Sequence, residues 1–387
     1  MKNLTVPDRG ATCRSAELLV REKPKYRLYE LLGEKSWYRV SSSRWLEKKR
    51  MKLDPFQELA VRILVWRGGI VEASRMGSVA YSEEYRGARY EFIFGRGNTK
   101  ADAMYVEDSV SWFWELYSKL PNKPTPIFVI DMGWFPRHRL EKEVESLRRQ
   151  IAYTLNLIRY YLWDKHLLLT NVRPGMLEWL CLMLGRAAID YSHLSTRDAL
   201  EVRGYGKIIA LDPSADQPLS RDDVFDAEAF IVGGVVDILP VRGATKMLVE
   251  KLGDVERRKI VFHGDVFGVP NRINAVIEII LRARYITCGD IDSAIRAVMS
   301  SRDARLRAYV EISRLLRGTP PSERVVNADF YCELRRWLPI SPKDFIIAAK
   351  MAQAKVVDNL EACECISKDQ SDHRRCSAIA GSSPCRS

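Results

Sequence analysis

Short apolar segments alternate with segments of helical periodicity between residues 126 and 285, and this alternation leaves the chain few possible folds. Segments typical of buried strands lie at 126–131 (PIFVID), 166–171, 207–211, 230–237 (FIVGGVVD) and 258–264. Apolar residues spaced three and four apart predict helices at 137–163, at 176–187 and from about 273 to 285. Strands this short and apolar are buried on both faces, as in a mostly parallel sheet covered by helices. The pattern therefore predicts an α/β domain over residues 125–285.

Different patterns flank this domain on both sides. Residues 1–120 are rich in basic and aromatic residues, and the proline-rich stretch SKLPNKPTP at 118–126 predicts a linker after them. From residue 286 to 357 the apolar spacing is helical only, which predicts a small helical domain. Residues 358–387 lose all periodicity and are expected to be disordered. We therefore expect three domains and a tail.

Positive charge is concentrated at the amino end. The net charge is +11, and residues 1–52 hold 14 Lys and Arg against 6 Asp and Glu, a local net of +8. Such an excess favours a polyanionic partner, because cations gain affinity by releasing phosphate counterions. We expect RNA contacts at Arg44, Lys48, Lys49 and Arg50, with aromatic rings nearby for base stacking. The alternative is a small core with a solvated basic face.

The sequence argues against membrane and metal proteins. No apolar run is long enough to cross a bilayer and the first residues lack a signal-peptide core, so a cytoplasmic protein is expected. The eight cysteines are scattered, which favours free thiols. A zinc site in the tail is not expected, because the spacing of its possible ligands fits no common zinc module. These residues are Cys363, Cys365, His373, Cys376 and Cys385.

The common nucleotide-binding fingerprints do not occur. GRGNTK at 95–100 only resembles a phosphate-binding loop, since it follows an alternating, strand-like segment and leads into no clear helix. No G-x-G-x-x-G opens the α/β unit, so a standard dinucleotide site is not expected.

Aspartates stand where predicted strands end. Ligands of open parallel sheets bind beyond the carboxyl ends of the strands, and Asp131, Asp212, Asp237 and Asp265 lie at such ends. Aspartates also cap turns and helices, and that explanation stays open for all four.

The glycine pair Gly233-Gly234 interrupts the strand that ends at Asp237. Glycines permit close approach of a ligand or of another chain segment, but they also accommodate a bulge. The spacing alone does not decide between a ligand site and a bulge.

Three segments carry a resemblance to a known family. Residues 131–162 resemble the start of the catalytic domain in SPOUT-superfamily methyltransferases that modify N1 of the purine at the ninth tRNA nucleotide. IVGGVVD (231–237) resembles the family's Ile-Val-Gly-Gly-Ile-Val-Asp signature, and GVPNRINAVIEIIL (268–281) is similar to its last knotted loop and helix. The resemblance spans about residues 125–285. Matching positions in the first segment are Asp131, Lys142, Glu143, Ser146, Leu147, Gln150 and Arg159.

The resemblance implies a trefoil-knotted, mostly parallel α/β sheet that binds S-adenosylmethionine between three loops. It also implies a basic N-terminal tRNA-binding region, and the helical C-terminal domain resembles an extension of archaeal members. The cofactor-binding residues implied by position are Leu211, Asp212, Pro213, Gly233, Gly234, Val236, Gly268, Val269, Pro270, Arg272 and Asn274.

The same resemblance implies the residues that act on the base. Asp237 is expected beside purine N1, either as a general base for guanine or to stabilise the cationic product from adenine. Asp131 and Asp265 are further catalytic candidates. The archaeal type favours adenine, although Ile238-Leu239-Pro240 replace the polar residues that follow the signature in many members, and Asn274 replaces a histidine common in eukaryotic ones.

The expected substrate is tRNA, and the expected form is a monomer. Besides the N-terminal cations, the α/β domain is expected to contact RNA through Lys142, Arg149, Gln150 and Arg159. For Gln150 and Arg159 the alternative is an exposed polar helix face. The alternative functions are methylation at another RNA position and RNA binding without catalysis.

Overall fold

We describe the fold from a computed structural model of the chain. The structure describes residues 14–33, 37–41, 54–107, 109–138, 140–236, 251–357 and Leu360. Within these residues the chain forms two compact units. The described residues of 1–260 and 271–294 form the first unit, and the described residues of 261–270 and 295–387 form the second.

The first third of the chain forms a mixed sheet with helices. Its elements are α1 (Arg14–Glu22), α2 (Pro24–Leu32), β1 (Trp37–Ser41), α3 (Pro55–Trp66), β2 (Gly69–Glu72), β3 (Met76–Tyr85), β4 (Ala88–Lys100), β5 (Ala103–Val106) and α4 (Val110–Lys119). The strands lie in the order β2-β5-β1-β4-β3. GRGNTK is the end of β4, so it is part of an antiparallel strand and forms no phosphate-binding loop.

Aromatic residues form much of the core beneath this sheet. Tyr29 is 1% exposed and stacks on Tyr90, with ring centroids 4.0 Å apart, while Phe56 packs edge-on against both rings. Tyr29 therefore stabilises the fold and has no exposed face for a base. Asp54 begins α3 by accepting hydrogen bonds from the N–H groups of Phe56 and Gln57.

The α/β part begins at β6 and alternates as the sequence predicts. Its elements are β6 (Ile127–Asp131), a 3-10 turn (Met132–Arg137), α5 (Glu141–Tyr161), a 3-10 turn (Asp164–His166), β7 (Leu167–Thr170), α6 (Pro174–Leu184), β8 (Asp190–Tyr191), α7 (Thr196–Val202), β9 (Ile208–Leu211), α8 (Arg221–Asp226), β10 (Ala229–Gly233), β11 (Glu256–Arg258) and α9 (Ile273–Tyr285). Two strands differ from the expectation: β10 ends at Gly233 and not at 237, and the last strand is Glu256–Arg258 and not 258–264.

The six strands form one sheet in which every described pair is parallel. Their order is β11-β9-β10-β6-β7-β8. After β6 the chain moves towards β7 and β8, and after β10 it moves to β11 on the opposite side. The switch point of the sheet therefore lies between the carboxyl ends of β6 and β10, where open α/β sheets bind ligands. The prediction of a mostly parallel α/β fold is confirmed.

The second unit is mainly helical. Its elements are the end of α10 (Ile291–Val298), which begins in the first unit, then α11 (Ser301–Leu315), a 3-10 turn (Pro321–Glu323), β12 (Val325–Val326), α12 (Ala328–Trp337), α13 (Pro342–Met351) and β13 (Lys355–Val356). α11 packs against α13. The domain boundaries at 120, 125, 285 and 357 stay predictions, as does disorder of the tail, which lies almost wholly outside the described residues.

Two further expectations can be compared with the fold. No helix in the described ranges is both long and apolar enough to span a membrane. Cys288 and Cys332 are each disulfide-bonded, so the expectation of free thiols is wrong for these two residues.

Candidate functional site

Asp131 lies at the switch point with its carboxylate fully engaged. Oδ1 accepts hydrogen bonds from the Gly133 N–H and the Asn171 side-chain amide, both at 2.8 Å. Oδ2 accepts a 2.9 Å hydrogen bond from the Thr196 hydroxyl. The residue is only 4% exposed. The carboxylate therefore ties the end of β6 to the segments after β7 and at the start of α7.

Gly234 follows β10 where the chain passes over the end of β6. Its N–H donates a 2.8 Å hydrogen bond to the carbonyl of Asp131, and a Cβ at this position would lie only 2.7 Å from that oxygen. Close approach of two backbones therefore requires glycine here. This contact explains one of the two glycines that interrupt the strand without invoking a bulge.

The segment after Gly234 is supported by two side chains from the turn after β6. His138 Nε2 accepts a 3.2 Å hydrogen bond from the N–H of Val236, and its Nδ1 lies 3.2 Å from the Phe135 carbonyl. A neutral imidazole with its proton on Nδ1 satisfies both contacts. Trp134, which is 4% exposed, packs against Val235. His138 and Trp134 thus hold the backbone segment directly before Asp237 in place.

The neighbouring strand β9 ends in a polar turn. Leu211 is 6% exposed, and Asp212 is 3% exposed. Oδ1 of Asp212 accepts from the N–H and the hydroxyl of Ser214 at 2.9 and 2.7 Å, so Asp212 closes the turn that contains Pro213. β9 and β10 are adjacent and parallel, which brings Leu211 and Gly233 to the same edge of the sheet.

Helix α9 begins with two of the predicted cofactor residues, Arg272 and Asn274. Within the described part of the chain the Arg272 side chain makes no capping hydrogen bond, and Gln150 from α5 takes that role. The amide oxygen of Gln150 accepts a 2.9 Å hydrogen bond from the N–H of Ile273. Gln150 is 8% exposed, so its place in the fold is structural.

The remaining predicted cofactor residues, Gly268, Val269 and Pro270, belong to the second unit, as does Asp265. Asp265 forms an ion pair with Arg314 and accepts a 3.0 Å hydrogen bond from the N–H of Phe267. Partial burial disfavours its charge, but these two contacts outweigh it and hold the pKa of the carboxyl below its ordinary value. Like Asp131, Asp265 has its carboxylate committed to neighbouring groups.

The predicted RNA contacts on α5 divide into exposed and paired cations. Lys142 and Arg149 are exposed, although Arg149 Nε lies 3.9 Å from Glu145. Arg159 instead donates two hydrogen bonds, of 2.6 and 2.7 Å, to the fully buried carboxylate of Asp164. Arg159 also lies over the Trp66 ring. These contacts within the fold indicate a structural role for Arg159.

Several predicted residues lie outside the described ranges: Asp237, Arg44, Lys48, Lys49 and Arg50. The structure neither supports nor opposes their roles. It does add residues that sequence reasoning missed, namely Asn171, Thr196 and His138. Asn171 and Thr196 are 40 and 65 positions from Asp131, so no local motif could have connected them.

Comparison with known proteins gives three informative similarities and one family match. A family described as "Protein arginine N-methyltransferase SFM1-like" matches residues 156–262. The chain is 30% identical over 332 residues to the tRNA (guanine(9)-/adenine(9)-N1)-methyltransferase of Thermococcus kodakarensis, which covers 82% of this chain and 85% of that protein. It is 28% identical to the tRNA (adenine(9)-N1)-methyltransferase of Sulfolobus acidocaldarius, over 74% of this chain and 86% of that one.

Among solved structures, the fold is similar to that of Sulfolobus acidocaldarius Trm10 in complex with S-adenosylhomocysteine. The TM-score is 0.60 at 22% identity, and the alignment covers 86% of this chain and 98% of that chain. The similarity confirms the α/β fold, and the alignment extends over most of the chain.

Proposed function

The chain belongs to the family of tRNA N1-methyltransferases that modify nucleotide 9, and we propose that it methylates N1 of adenosine 9, and guanosine 9 as a second substrate. The observation that carries this proposal is the 30% identity to the dual-specificity enzyme, since the match extends over 85% of that protein. The second relative is named for adenine alone, which supports adenine as the main substrate.

S-adenosylmethionine is the cofactor, and the residues of the first unit fit it. Leu211 and Val236 have buried apolar side chains, and Gly233 has no side chain and is only partly buried. Apolar walls with a few backbone polar groups suit an adenine nucleoside. Leu211 and Gly233 also lie at adjacent strand ends beside the switch point. When bound, the cofactor supplies a methyl group on a positively charged sulfur.

The chain's own residues must align the purine with that methyl group. We assign Asp237 to the N1 edge of the base, where its carboxylate stabilises the charge that develops on adenine or accepts the N1 proton of guanine. This assignment is supported by the IVGGVVD signature and by the anchoring of Val236 on His138. Asp131 and Asp265 have engaged carboxylates, and we assign them to positioning of the loops.

The substrate contact is proposed to involve basic surface outside the α/β sheet. Purine N1 lies on the pairing edge, so the base must leave its stack at a cost of roughly a few kcal/mol. Cations of the N-terminal region and the exposed Lys142 and Arg149 can supply that binding free energy. We further propose a trefoil knot in the α/β part, a monomeric state and a cytoplasmic location, all supported by the family and its tRNA substrate.

A protein-arginine methyltransferase is the second candidate, because the SFM1-like family matches residues 156–262. This match covers only part of the α/β domain, whereas the tRNA enzymes match most of the chain. The tRNA proposal therefore explains more of the protein.

The test is methyl transfer to unmodified tRNA transcripts that carry A or G at nucleotide 9, followed by nucleoside analysis. We expect N1-methyladenosine from the first transcript and less N1-methylguanosine from the second. Transcripts with pyrimidine at nucleotide 9 serve as controls. Methylation at another nucleotide would redirect the proposal within the superfamily. Binding of tRNA without methylation would support a non-catalytic protein, and methylation of protein arginine alone would support the second candidate.

An Asp237→Asn variant tests the residue assignment separately. We expect its rate to fall with either base, and more steeply with guanine, because only guanine must lose a proton from N1. A variant that methylates both transcripts at the wild-type rate would contradict the role of Asp237.

A further inference from the structure

We infer that Arg307 of helix α11 is a positioning residue that holds the loop at 261–270 in the conformation needed to bind S-adenosylmethionine. The inference rests on the proposed function, because the loop's role in cofactor binding comes from its similarity to the family. Arg307, Arg314 and Trp337, which contact the loop, lie with it in the second unit.

Arg307 organises the loop through its backbone. Its guanidinium donates hydrogen bonds to three loop carbonyls: Phe262 at 2.8 Å, Phe267 at 3.2 Å and His263 at 3.2 Å. The arginine is only 2% exposed. A planar group with five donors can bridge three carbonyls at once, and no other side chain offers that geometry. The side chain therefore fixes both ends of the turn relative to each other.

Packing around Arg307 leaves its side chain little freedom. The guanidinium lies 5.2 Å from the centroid of the Trp337 ring, and its Nε lies 2.7 Å from Glu311. The Trp337 ring also contacts His263, with centroids 4.4 Å apart. Helices α11 and α12 thus hold the loop from two directions.

Gly268, one of the predicted cofactor residues, packs directly against Arg307. Gly268 has a φ of +79°, and a Cβ there would lie 2.5 Å from the Cβ of Arg307 and 3.1 Å from the carbonyl of Asp303. Both the backbone angle and the contact demand glycine. The loop is packed directly against α11 at Gly268. A shift of α11 should therefore also move Val269 and Pro270, the predicted cofactor residues that come next.

A second arginine on the same helix holds the middle of the loop. Arg314 forms an ion pair with Asp265, and Glu311 pairs with both arginines. Arg307 and Arg314 are seven residues apart, which places them on one face of α11. Arg314 is 45% exposed, so its contact is the weaker of the two.

This arrangement gives the helical unit a task in the reaction. A loop that adopts its binding conformation only a fraction of the time lowers the apparent affinity for its ligand by that fraction. We expect Arg307→Lys to weaken binding of S-adenosylmethionine and S-adenosylhomocysteine about tenfold, as when the competent loop falls to roughly one tenth of the population. The affinity for tRNA should stay within about twofold of the wild type, because the ordering cost applies to the cofactor.

The experiment measures cofactor binding to the full chain by isothermal titration, with Arg305→Ala as the matched control. Arg305 lies two positions away on α11 and pairs with Asp344 at 3.1 Å, so its loss weakens the helical unit without touching the loop. Hydrogen exchange of residues 261–270 should accelerate in Arg307→Lys and not in Arg305→Ala. Kinetics should show a raised KM for S-adenosylmethionine with a nearly unchanged kcat.

Arg314→Ala provides a second variant in case Arg307→Lys does not fold. It should weaken cofactor binding by about threefold, because it removes only the partly exposed contact. Cofactor affinities and loop exchange equal to those of Arg305→Ala would overturn the inference. If the wild-type chain binds the cofactor and methylates tRNA, that failure would leave the proposed function intact. A wild type that binds no cofactor would overturn the proposed function itself.

Discussion

The amide oxygen of Gln150 accepts a 2.9 Å hydrogen bond from the backbone N–H of Ile273, across 123 positions of sequence. The first N–H groups of a helix have no partner within the helix, so a buried start needs one from elsewhere. Helix α5 thereby caps α9, and α9 follows directly on a predicted cofactor loop. Gln150 therefore fixes the start of α9 against α5, the longest helix among the described residues.

Removal of this cap should destabilise the protein. We expect Gln150→Ala to lower the free energy of unfolding by about 1–2 kcal/mol, because a buried N–H loses its acceptor. Urea denaturation measures the effect, with Asn156→Ala at an exposed position of the same helix as control. Equal losses in Gln150→Ala and the control would show that the bond contributes nothing.

The capping contact also shows what could be predicted from sequence. Helical spacing identified the helix at 273–285, which agrees with the observed Ile273–Tyr285. It placed Gln150 among polar residues, but Gln150 follows Leu147 by three and precedes Thr154 by four, and both of these are fully buried. The burial of Gln150 and Thr154 is seen only in the structure, because polar side chains on a surface helix are usually exposed. The partner of Gln150 could not be predicted either, because a pairing over 123 positions depends on how the helices pack.

A buried ion pair joins the amino-terminal helix α1 to α9. The carboxylate of Glu22 accepts from Arg284 Nη2 at 2.9 Å and from the Tyr285 hydroxyl at 2.6 Å. Burial opposes the charge of Glu22, but Arg284 and Tyr285 outweigh it and lower the pKa of the carboxyl. We expect Glu22→Gln to cost roughly 3–5 kcal/mol, because Arg284 remains buried without its counter-charge.

Two further variants serve as comparisons for the buried Glu22–Arg284 pair. Arg21 also contacts Glu22, but its side chain is 58% exposed, so Arg21→Ala should cost less than about 1 kcal/mol. The double variant Glu22→Gln/Arg284→Met should cost less than the sum of its single variants, since it buries no unpaired charge. Additive losses in denaturant unfolding would contradict the pairing.

His166 should make the stability depend on pH. Its Nδ1 lies 2.8 Å from the Pro126 carbonyl, and burial lowers the pKa of the imidazole from 6.5 to about 4. Between these values only the unfolded chain binds the proton, so the free energy of unfolding should fall as the pH drops from 6.5 towards 4. The total loss should be about 3 kcal/mol.

A His166→Asn variant isolates this contribution, because asparagine can donate to Pro126 and does not titrate in this range. Between pH 6.5 and 4.5 its free energy of unfolding should depend less on pH than that of the wild type. Below that range Glu22, whose pKa is lowered, begins to lose its charge as well. Parallel curves for wild type and variant in chemical denaturation at each pH would assign the dependence to other groups.

The exposed and paired cations of α5 should respond differently to neutralisation. Lys142 and Arg149 are exposed, and each that contacts a phosphate should reduce the salt dependence of tRNA binding by about one ion when changed to Gln. Arg159→Gln should instead destabilise the fold by roughly 3–5 kcal/mol, because it leaves Asp164 buried without its partner. Filter binding over a range of salt concentrations, combined with thermal unfolding, separates the two effects.

The control for net charge is Lys350→Gln, since Lys350 is an exposed cation of α13 that is not among the predicted contacts. A salt dependence unchanged in Lys142→Gln and Arg149→Gln would move the tRNA surface away from α5, to the basic residues of the amino-terminal region.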